Sequence, residues 1–146
     1  MTKQIKILTL LNFLILVSYY QTFAQHSTAK QILWTTDWSH GGKYIAIGGN
    51  VDTLKIYSKG NLKLYKAVPV KNTITRIKWH PSRTVIAVST QMSAEKSFIF
   101  NLETNEKIEL NGISPDGARG VDWNYTGDYL AVADNDGQVL IYNSKG

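Results

Sequence analysis

The sequence lacks cysteine altogether, so a disulfide framework and a thiolate zinc site are both excluded. It is also poor in histidine, with only His26, His40 and His80, and no nucleophile, base and orienting acid converge on one segment. No stretch after residue 25 has helical periodicity. What remains is a chain of 146 residues, 43% hydrophobic and 18% charged, which is the size and composition of about one globular domain. The sequence therefore predicts a folded all-β protein that is not an enzyme.

The first 24 residues have the layout of a secretory signal peptide. Lys3 and Lys6 precede an apolar run over residues 7–20, and the stretch Thr22-Phe23-Ala24 follows. The run has about 14 residues and is interrupted by polar side chains, whereas a membrane span needs roughly 20 largely apolar residues. We therefore predict cleavage after Ala24 and export to a periplasm, a cell surface or the medium. The alternative is a membrane anchor through residues 7–20.

Three stretches of the remaining chain repeat one pattern. They begin at Trp38, Trp79 and Trp123, which are 41 and 44 residues apart. An alanine and a closing aromatic residue return at nearly the same spacing in each copy: Ala46, Ala87 and Ala131, then Tyr57, Phe100 and Tyr142. A period of about 40–45 residues is that of propeller blades. Because the three tryptophans repeat in register, we expect all of them to be core residues.

Each copy has the pattern of an antiparallel sheet. One strand ends at the tryptophan, a polar turn follows, and a short, nearly continuous apolar strand comes next (YIAIG, VIAVS, YLAVA). A third strand follows each of these (TLKIY, SFIF, VLIY), and an outer fourth strand is predicted at LKLYKAV and KIEL. Asp136-Gly137 between two such runs is a strong hairpin signal.

This pattern resembles the WD-repeat β-propeller family. The resemblance covers residues 31–143 and is best in the third copy, where Asp136 stands at the family's turn aspartate. It implies an all-β fold of four-stranded antiparallel blades, with about three blades in an open or partial ring. The implied blades cover about residues 27–70, 71–111 and 112–146. The resemblance also implies a protein-interaction scaffold, with a protein as its partner.

Trp34 is the one tryptophan that does not repeat. Thr75 and Arg119 hold its equivalent positions, four residues before each repeating tryptophan. In the resembled family this region, near the start of the innermost strand, reaches the face where partners bind. Trp34, Thr75 and Arg119 are therefore predicted partner contacts, and Asn135 before the aspartate turn is a fourth. Ordinary packing or solvation is the alternative, and an exposed Trp34 would favour binding of a carbohydrate or another small ligand.

Charge is distributed unevenly along the chain. Residues 53–94 contain eight basic residues and no acid, whereas residues 95–146 contain nine acids against four bases. Such an asymmetry would attract an anionic surface or glycan, an acidic protein, or another copy of the chain. Within the basic stretch, Lys63 and Lys66 are predicted contacts for an acidic partner. Nucleic acid is not a predicted partner, because the aromatic residues repeat as core and leave no basic face with free rings.

No metal or cofactor is predicted. His40 and His80 lie in equivalent turns and would share a metal only if neighbouring blades brought these turns together, and turn polarity explains both. The late aspartates lack the tight, regular spacing of a calcium loop. The glycines of HGGKYIAIGGN do not open a helix, so they form no phosphate-binding loop.

The strand count predicts an incomplete ring. The mature chain has about eleven strands, in fewer than three complete blades, while closed propellers typically need 4–8 blades. We expect either a fragment of a longer propeller or closure by self-association. The predicted function is an exported, non-catalytic interaction scaffold. The alternative is part of an exported propeller enzyme, or of a carbohydrate or small-ligand binder, with its active groups on missing blades.

Overall fold

A computed structural model of the chain describes residues 30–92 and 95–146. The predicted signal peptide, its cleavage after Ala24 and the alternative anchor over residues 7–20 lie outside these described residues. Within them, no helix has both the length and the apolar character needed to cross a membrane. The one helical element there is a single 3-10 turn, His40–Gly42.

The described residues form eleven strands in three antiparallel sheets. The first sheet has the order β1 (Leu33–Trp38), β2 (Tyr44–Gly49), β3 (Thr53–Ser58), β4 (Leu64–Pro69). The second has the order β5 (Ile74–Trp79), β6 (Val85–Thr90), β7 (Phe98–Asn101), β8 (Lys107–Glu109). The third has β9 (Ala118–Trp123), β10 (Tyr129–Asp134) and β11 (Val139–Asn143). The predicted all-β class and the predicted four-stranded antiparallel sheets are confirmed.

The sheets stack face to face through their first strands. Strand β5 contacts both β1 and β9. One hydrophobic core fills the space between the first and second sheets, and another fills the space between the second and third. The larger side chains of the first core come from two sheets and include Leu54, Ile56, Ile77, Trp79 and Phe98. The second core is built mainly from Ile99, Leu110, Val121, Leu130 and Val132. Burial of these apolar side chains between the sheets supplies the main stabilisation of the fold.

The repeating tryptophans differ in their burial. Trp79 is buried against the first sheet, where its Nε1 donates to the Asp37 carbonyl at 3.1 Å. Trp123 is half-buried against the second sheet, where its Nε1 donates to the Lys78 carbonyl at 3.3 Å. Trp38 is 51% exposed, so its prediction as a core residue is wrong. Each tryptophan packs on the sheet before its own, and among the described residues no sheet precedes that of Trp38.

Candidate binding site at the start of the first strands

A β-bulge interrupts the first strand of every sheet at the same place. In the first sheet Leu33 pairs with Gly49 and Thr35 with Gly48, so that Trp34 is the extra residue. By the same pairing shift, Thr75 is the extra residue in β5 and Arg119 is the extra residue in β9. A bulge leaves one residue outside the ladder and re-aims its side chain. The three predicted contact residues are therefore the three bulged residues.

Two of the bulged side chains bind the backbone of the next sheet. Trp34 Nε1 donates to the Ile74 carbonyl at 2.8 Å, and Thr75 Oγ1 donates to the Ala118 carbonyl at 2.6 Å. Ile74 and Ala118 each directly precede a bulged residue, so the two contacts are equivalent. The Thr75 hydroxyl also lies 2.8 Å from Ser89 Oγ within its own sheet. These bonds hold the neighbouring first strands together where no ladder joins them.

The three bulged residues meet in one cavity. It has a volume of about 260 Å³ and is lined by Trp34, Thr75, Gln91 and Arg119. Trp34 is 50% exposed although its indole N–H is bonded, and Arg119 is exposed. The cavity thus offers an indole ring, a guanidinium and an amide. This combination suits stacking and charge-assisted hydrogen bonds to carboxylates or carbonyls.

Sequence reasoning missed Gln91 as a lining residue. It directly follows β6 and forms an isolated bridge with Gly117, which precedes β9. This pairing joins the second and third sheets, and a residue's place in such a cross-sheet bridge has no local pattern. The sequence therefore carries no signal that could have identified Gln91.

Asn135 lies close to this site but does not line the cavity. Its backbone N–H donates to the Gly117 carbonyl at 2.9 Å, and its side-chain amide donates to the Asp116 carbonyl. Gly117 is also the bridge partner of Gln91. Asn135 is thus connected to the cavity through one residue, and it remains exposed.

Lys63 and Lys66 lie elsewhere on the molecule. Lys66 is in β4, the outer strand of the first sheet, and Lys63 directly precedes this strand. Lys63 is exposed, and neither lysine lines the cavity with the bulged residues. The structure brings together Trp34, Thr75 and Arg119, and it leaves the two lysines at the outer edge of a sheet.

His80 connects the second and third sheets. It is 2% exposed, and its ring lies 4.9 Å from that of Trp123. Nδ1 accepts the backbone N–H groups of Ser82 and Arg83, both at 3.1 Å, while Nε2 lies 3.0 Å from the Gly127 carbonyl and 2.7 Å from Arg83 Nη2. Burial, and then the charge of Arg83, lower the pKa of His80 below 6.5.

The histidines do not converge on a metal site. His40 is exposed in its turn, while both ring nitrogens of His80 are engaged by protein groups. Among residues 30–92 and 95–146, no three His, Cys, Asp or Glu side chains are placed to hold a metal ion.

Asp134 anchors the turn between β10 and β11. Its buried carboxylate accepts the backbone N–H groups of Asp136 and Gln138, both at 3.0 Å, and that of Ser114 at 3.3 Å. Asp136, which the family resemblance placed at the turn position, is exposed. The carboxylate that organises this turn therefore belongs to the residue two positions earlier.

Antiparallel sheets of three or four strands, stacked through their first strands, are the architecture of the described residues. Residues 108–143 match the family described as WD domain, G-beta repeat. The match begins in β8 and ends with β11, so one repeat takes its first strand from the second sheet and the other three from the third. The chain has a WD-repeat propeller-like fold. A search of the curated proteins found no match. WD repeats generally mediate protein–protein interaction and are generally non-enzymatic.

Proposed function

We propose that the protein is an exported, non-catalytic propeller scaffold that binds a protein partner at the cavity of the three bulged residues. The WD repeat at residues 108–143 supports an interaction role. The N-terminal sequence pattern supports export. The observation that carries the proposal is the meeting of Trp34, Thr75 and Arg119 in one open cavity. Propellers suit this role because they present many loops on a rigid frame.

The cavity favours a partner with an acidic or carbonyl-rich loop. The hydroxyl of Thr75 is engaged by Ala118, so the guanidinium of Arg119 and the amide of Gln91 are the polar groups that remain for a ligand. The exposed ring of Trp34 adds an apolar surface beside them. Tryptophan and arginine are enriched among the residues that dominate interface energies. Lys63, Lys66 and the other cations of the basic stretch would steer an acidic partner toward the protein.

The test begins with capture of partners from the exported fraction of the source cells by the full-length chain. A captured protein is then titrated against two variants, Arg119→Gln and the control Lys145→Gln, which removes one exposed cation outside the cavity. Hydrogen bonds to charged groups contribute about 1.5–3 kcal/mol, so Arg119→Gln should weaken binding roughly tenfold or more while the control leaves it unchanged. Equal binding by both variants would contradict the proposed site.

Export is tested separately by sequencing the N-terminus of the natural protein. A chain that begins at Gln25 and lies outside the cytoplasm is the expected result. An intact chain that begins at Met1 in the cytosol would remove export from the proposal and leave the binding site untouched.

A second candidate function is binding of a carbohydrate or another small polar ligand. The 50% exposure of Trp34 favours it, because an exposed ring beside hydrogen-bonding groups can stack against the apolar face of a sugar. Titration with neutral and acidic monosaccharides, followed by tryptophan fluorescence, tests this function. The signal change should persist in Trp79→Phe if that variant folds, and should disappear in Trp34→Phe. No change with wild type up to millimolar ligand would exclude these sugars.

A further inference from the structure

Two sheet faces of the described residues remain uncovered. The leading face, on the first sheet, includes Thr36, Trp38, Ile45, Ile47 and Tyr57, and Lys55 lies beside Ile47 on the same face. The trailing face, on the third sheet, includes Tyr129, Ala131, Ala133, Val139 and Ile141, and Asp122 lies beside Ala131 on the same face. Exposed or half-exposed side chains, most of them apolar, thus line up on each face. Contiguous apolar surface of this kind marks an interaction site.

The two junctions between neighbouring sheets show how one sheet face binds the next. At the first internal junction, Trp79 stacks on Tyr44 with ring centroids 6.3 Å apart and planes 14° apart. Its Nε1 donates to the carbonyl of Asp37, the residue before Trp38. At the second junction, Trp123 Nε1 donates to the carbonyl of Lys78, the residue before Trp79. Each junction therefore seats a tryptophan on the sheet that precedes it.

The two uncovered faces contain the two halves of a third junction. Trp38 is the repeat equivalent of Trp79, and it is exposed. Tyr129 is the equivalent of Tyr44, because each lies two residues before the repeating alanine, and it is 56% exposed. Asp122 precedes Trp123 as Asp37 precedes Trp38, so its carbonyl is the equivalent acceptor. A Trp38 ring could thus stack on Tyr129 and donate to Asp122, as Trp79 does on the first sheet.

The bulged residues also pair a side-chain donor on one sheet with a backbone carbonyl on the next. Trp34 and Thr75 bond to the carbonyls of Ile74 and Ala118 in the following sheet. The equivalent donor at the end of the series is Arg119, and the equivalent carbonyl is that of Leu33, directly before the bulge of the first sheet. The guanidinium has five N–H donors, so one bond to a carbonyl leaves donors for a bound partner.

Shape and charge agree with this assignment. The trailing face contains an open cavity of about 350 Å³, whose charged lining residues are Arg76, Arg119 and Asp122. Residues 33–69 of the first sheet contain five lysines against two aspartates, whereas residues 118–143 of the third contain four aspartates against one arginine. Sheets of opposite net charge attract one another, which disfavours pairing of two like sheets.

We propose that the trailing face binds the leading face of a second copy of this chain. Two copies joined head to tail in both directions would form a ring of six sheets, within the 4–8 typical of closed propellers. A two-fold axis makes the two junctions identical, so the ring closes without leaving either face exposed. The partner is a second copy because its first sheet offers Trp38, a positive net charge and the carbonyl of Leu33, which are the groups that the third sheet would bind.

Sedimentation equilibrium of the full-length chain tests the stoichiometry. A dimer at micromolar concentration is expected, and Tyr129→Lys should weaken its association at least tenfold by placing a charge at the stacking position. Tyr125→Lys is the matched control, because Tyr125 is 96% exposed and lies in the turn between β9 and β10, outside the trailing face. A monomer at tens of micromolar, or an open series of larger assemblies, would overturn the proposal.

Mixing two single-cysteine variants tests the orientation, and it remains informative if Tyr129→Lys fails to fold. Thr36 and Ala133 are the equivalents of Ile77 and Gly48, and a Cβ at Gly48 would lie 3.0 Å from Ile77 Cδ1. Because the chain has no cysteine, Thr36→Cys and Ala133→Cys each introduce one thiol. A short bis-maleimide should cross-link the mixture and neither variant alone. Cross-linking within either single variant, or none in the mixture, would overturn head-to-tail pairing without affecting the partner-binding proposal.

Discussion

Replacement of Gly127 by alanine probes the junction between the second and third sheets. Gly127 has φ +79°, and a Cβ there would overlap the His80 ring more closely than any real contact allows. Gly137 has φ +80°, and a Cβ at that position would meet nothing within 4 Å, so Gly137→Ala has the same backbone strain without the overlap. Left-handed backbone costs an L-residue about 1–2 kcal/mol, and both variants carry this cost.

The additional cost in Gly127→Ala comes from His80. The buried ring must move away from the new methyl group, and it then loses its hydrogen bond to the Gly127 carbonyl. An unsatisfied buried group costs about 1–3 kcal/mol, and an off-rotamer side chain about 0.5–1.5 kcal/mol. The free energy of unfolding should therefore fall about 2–4 kcal/mol further in Gly127→Ala than in Gly137→Ala.

Urea unfolding, followed by tryptophan fluorescence, measures both variants. A double-mutant cycle adds His80→Ala alone and combined with Gly127→Ala, because removal of the ring removes the overlap. The additional cost of the Gly127 substitution should then largely disappear. Equal destabilisation by Gly127→Ala and Gly137→Ala, or an additional cost that persists without the His80 ring, would refute the assignment of His80 as the contact between these sheets.

Three further predictions concern pH, salt and the bulge. Burial and the charge of Arg83 lower the pKa of His80 below 6.5, so the folded state favours the neutral ring. The free energy of unfolding should therefore be highest above pH 6.5 and fall as the pH drops below that value. Urea titrations between about pH 5 and pH 8 should show this loss in wild type and a weaker one in His80→Gln. Affinity for an acidic partner should fall with ionic strength and in the double variant Lys63→Glu, Lys66→Glu, because physiological salt screens exposed charges over about 8 Å; salt-independent binding would exclude the basic stretch. Trp34→Phe removes the 2.8 Å hydrogen bond to the Ile74 carbonyl and should lower the free energy of unfolding by about 1 kcal/mol, whereas an unchanged denaturation curve would show that this bond adds nothing to stability.

The sequence was sufficient to predict the strands. Alternation of apolar residues, a tryptophan at the end of each first strand and Asp136-Gly137 in the last hairpin are local features, and each acts through neighbours along the chain. The three strands of the third sheet over residues 118–143 were also predicted from these patterns. Local patterns predict local structure, and antiparallel sheets joined by short turns are largely local.

The candidate site could be predicted only in part. Counting four residues back from each repeating tryptophan located Trp34, Thr75 and Arg119, and the structure brings these residues together. The reason for their meeting, a bulge at the same place in each first strand, has no sequence signature here. Gln91 was missed for the same reason, since it reaches the cavity only through pairing between sheets.

The sequence by itself determined the repeat, its period and the equivalence of positions between copies. Tertiary structure alone decided what each equivalent position does. Trp38, Trp79 and Trp123 have the same place in the repeat, yet one is exposed, one buried and one half-buried. The physical reason is that burial requires a second surface, and for a propeller strand that surface belongs to the preceding sheet rather than to its own neighbours in the chain.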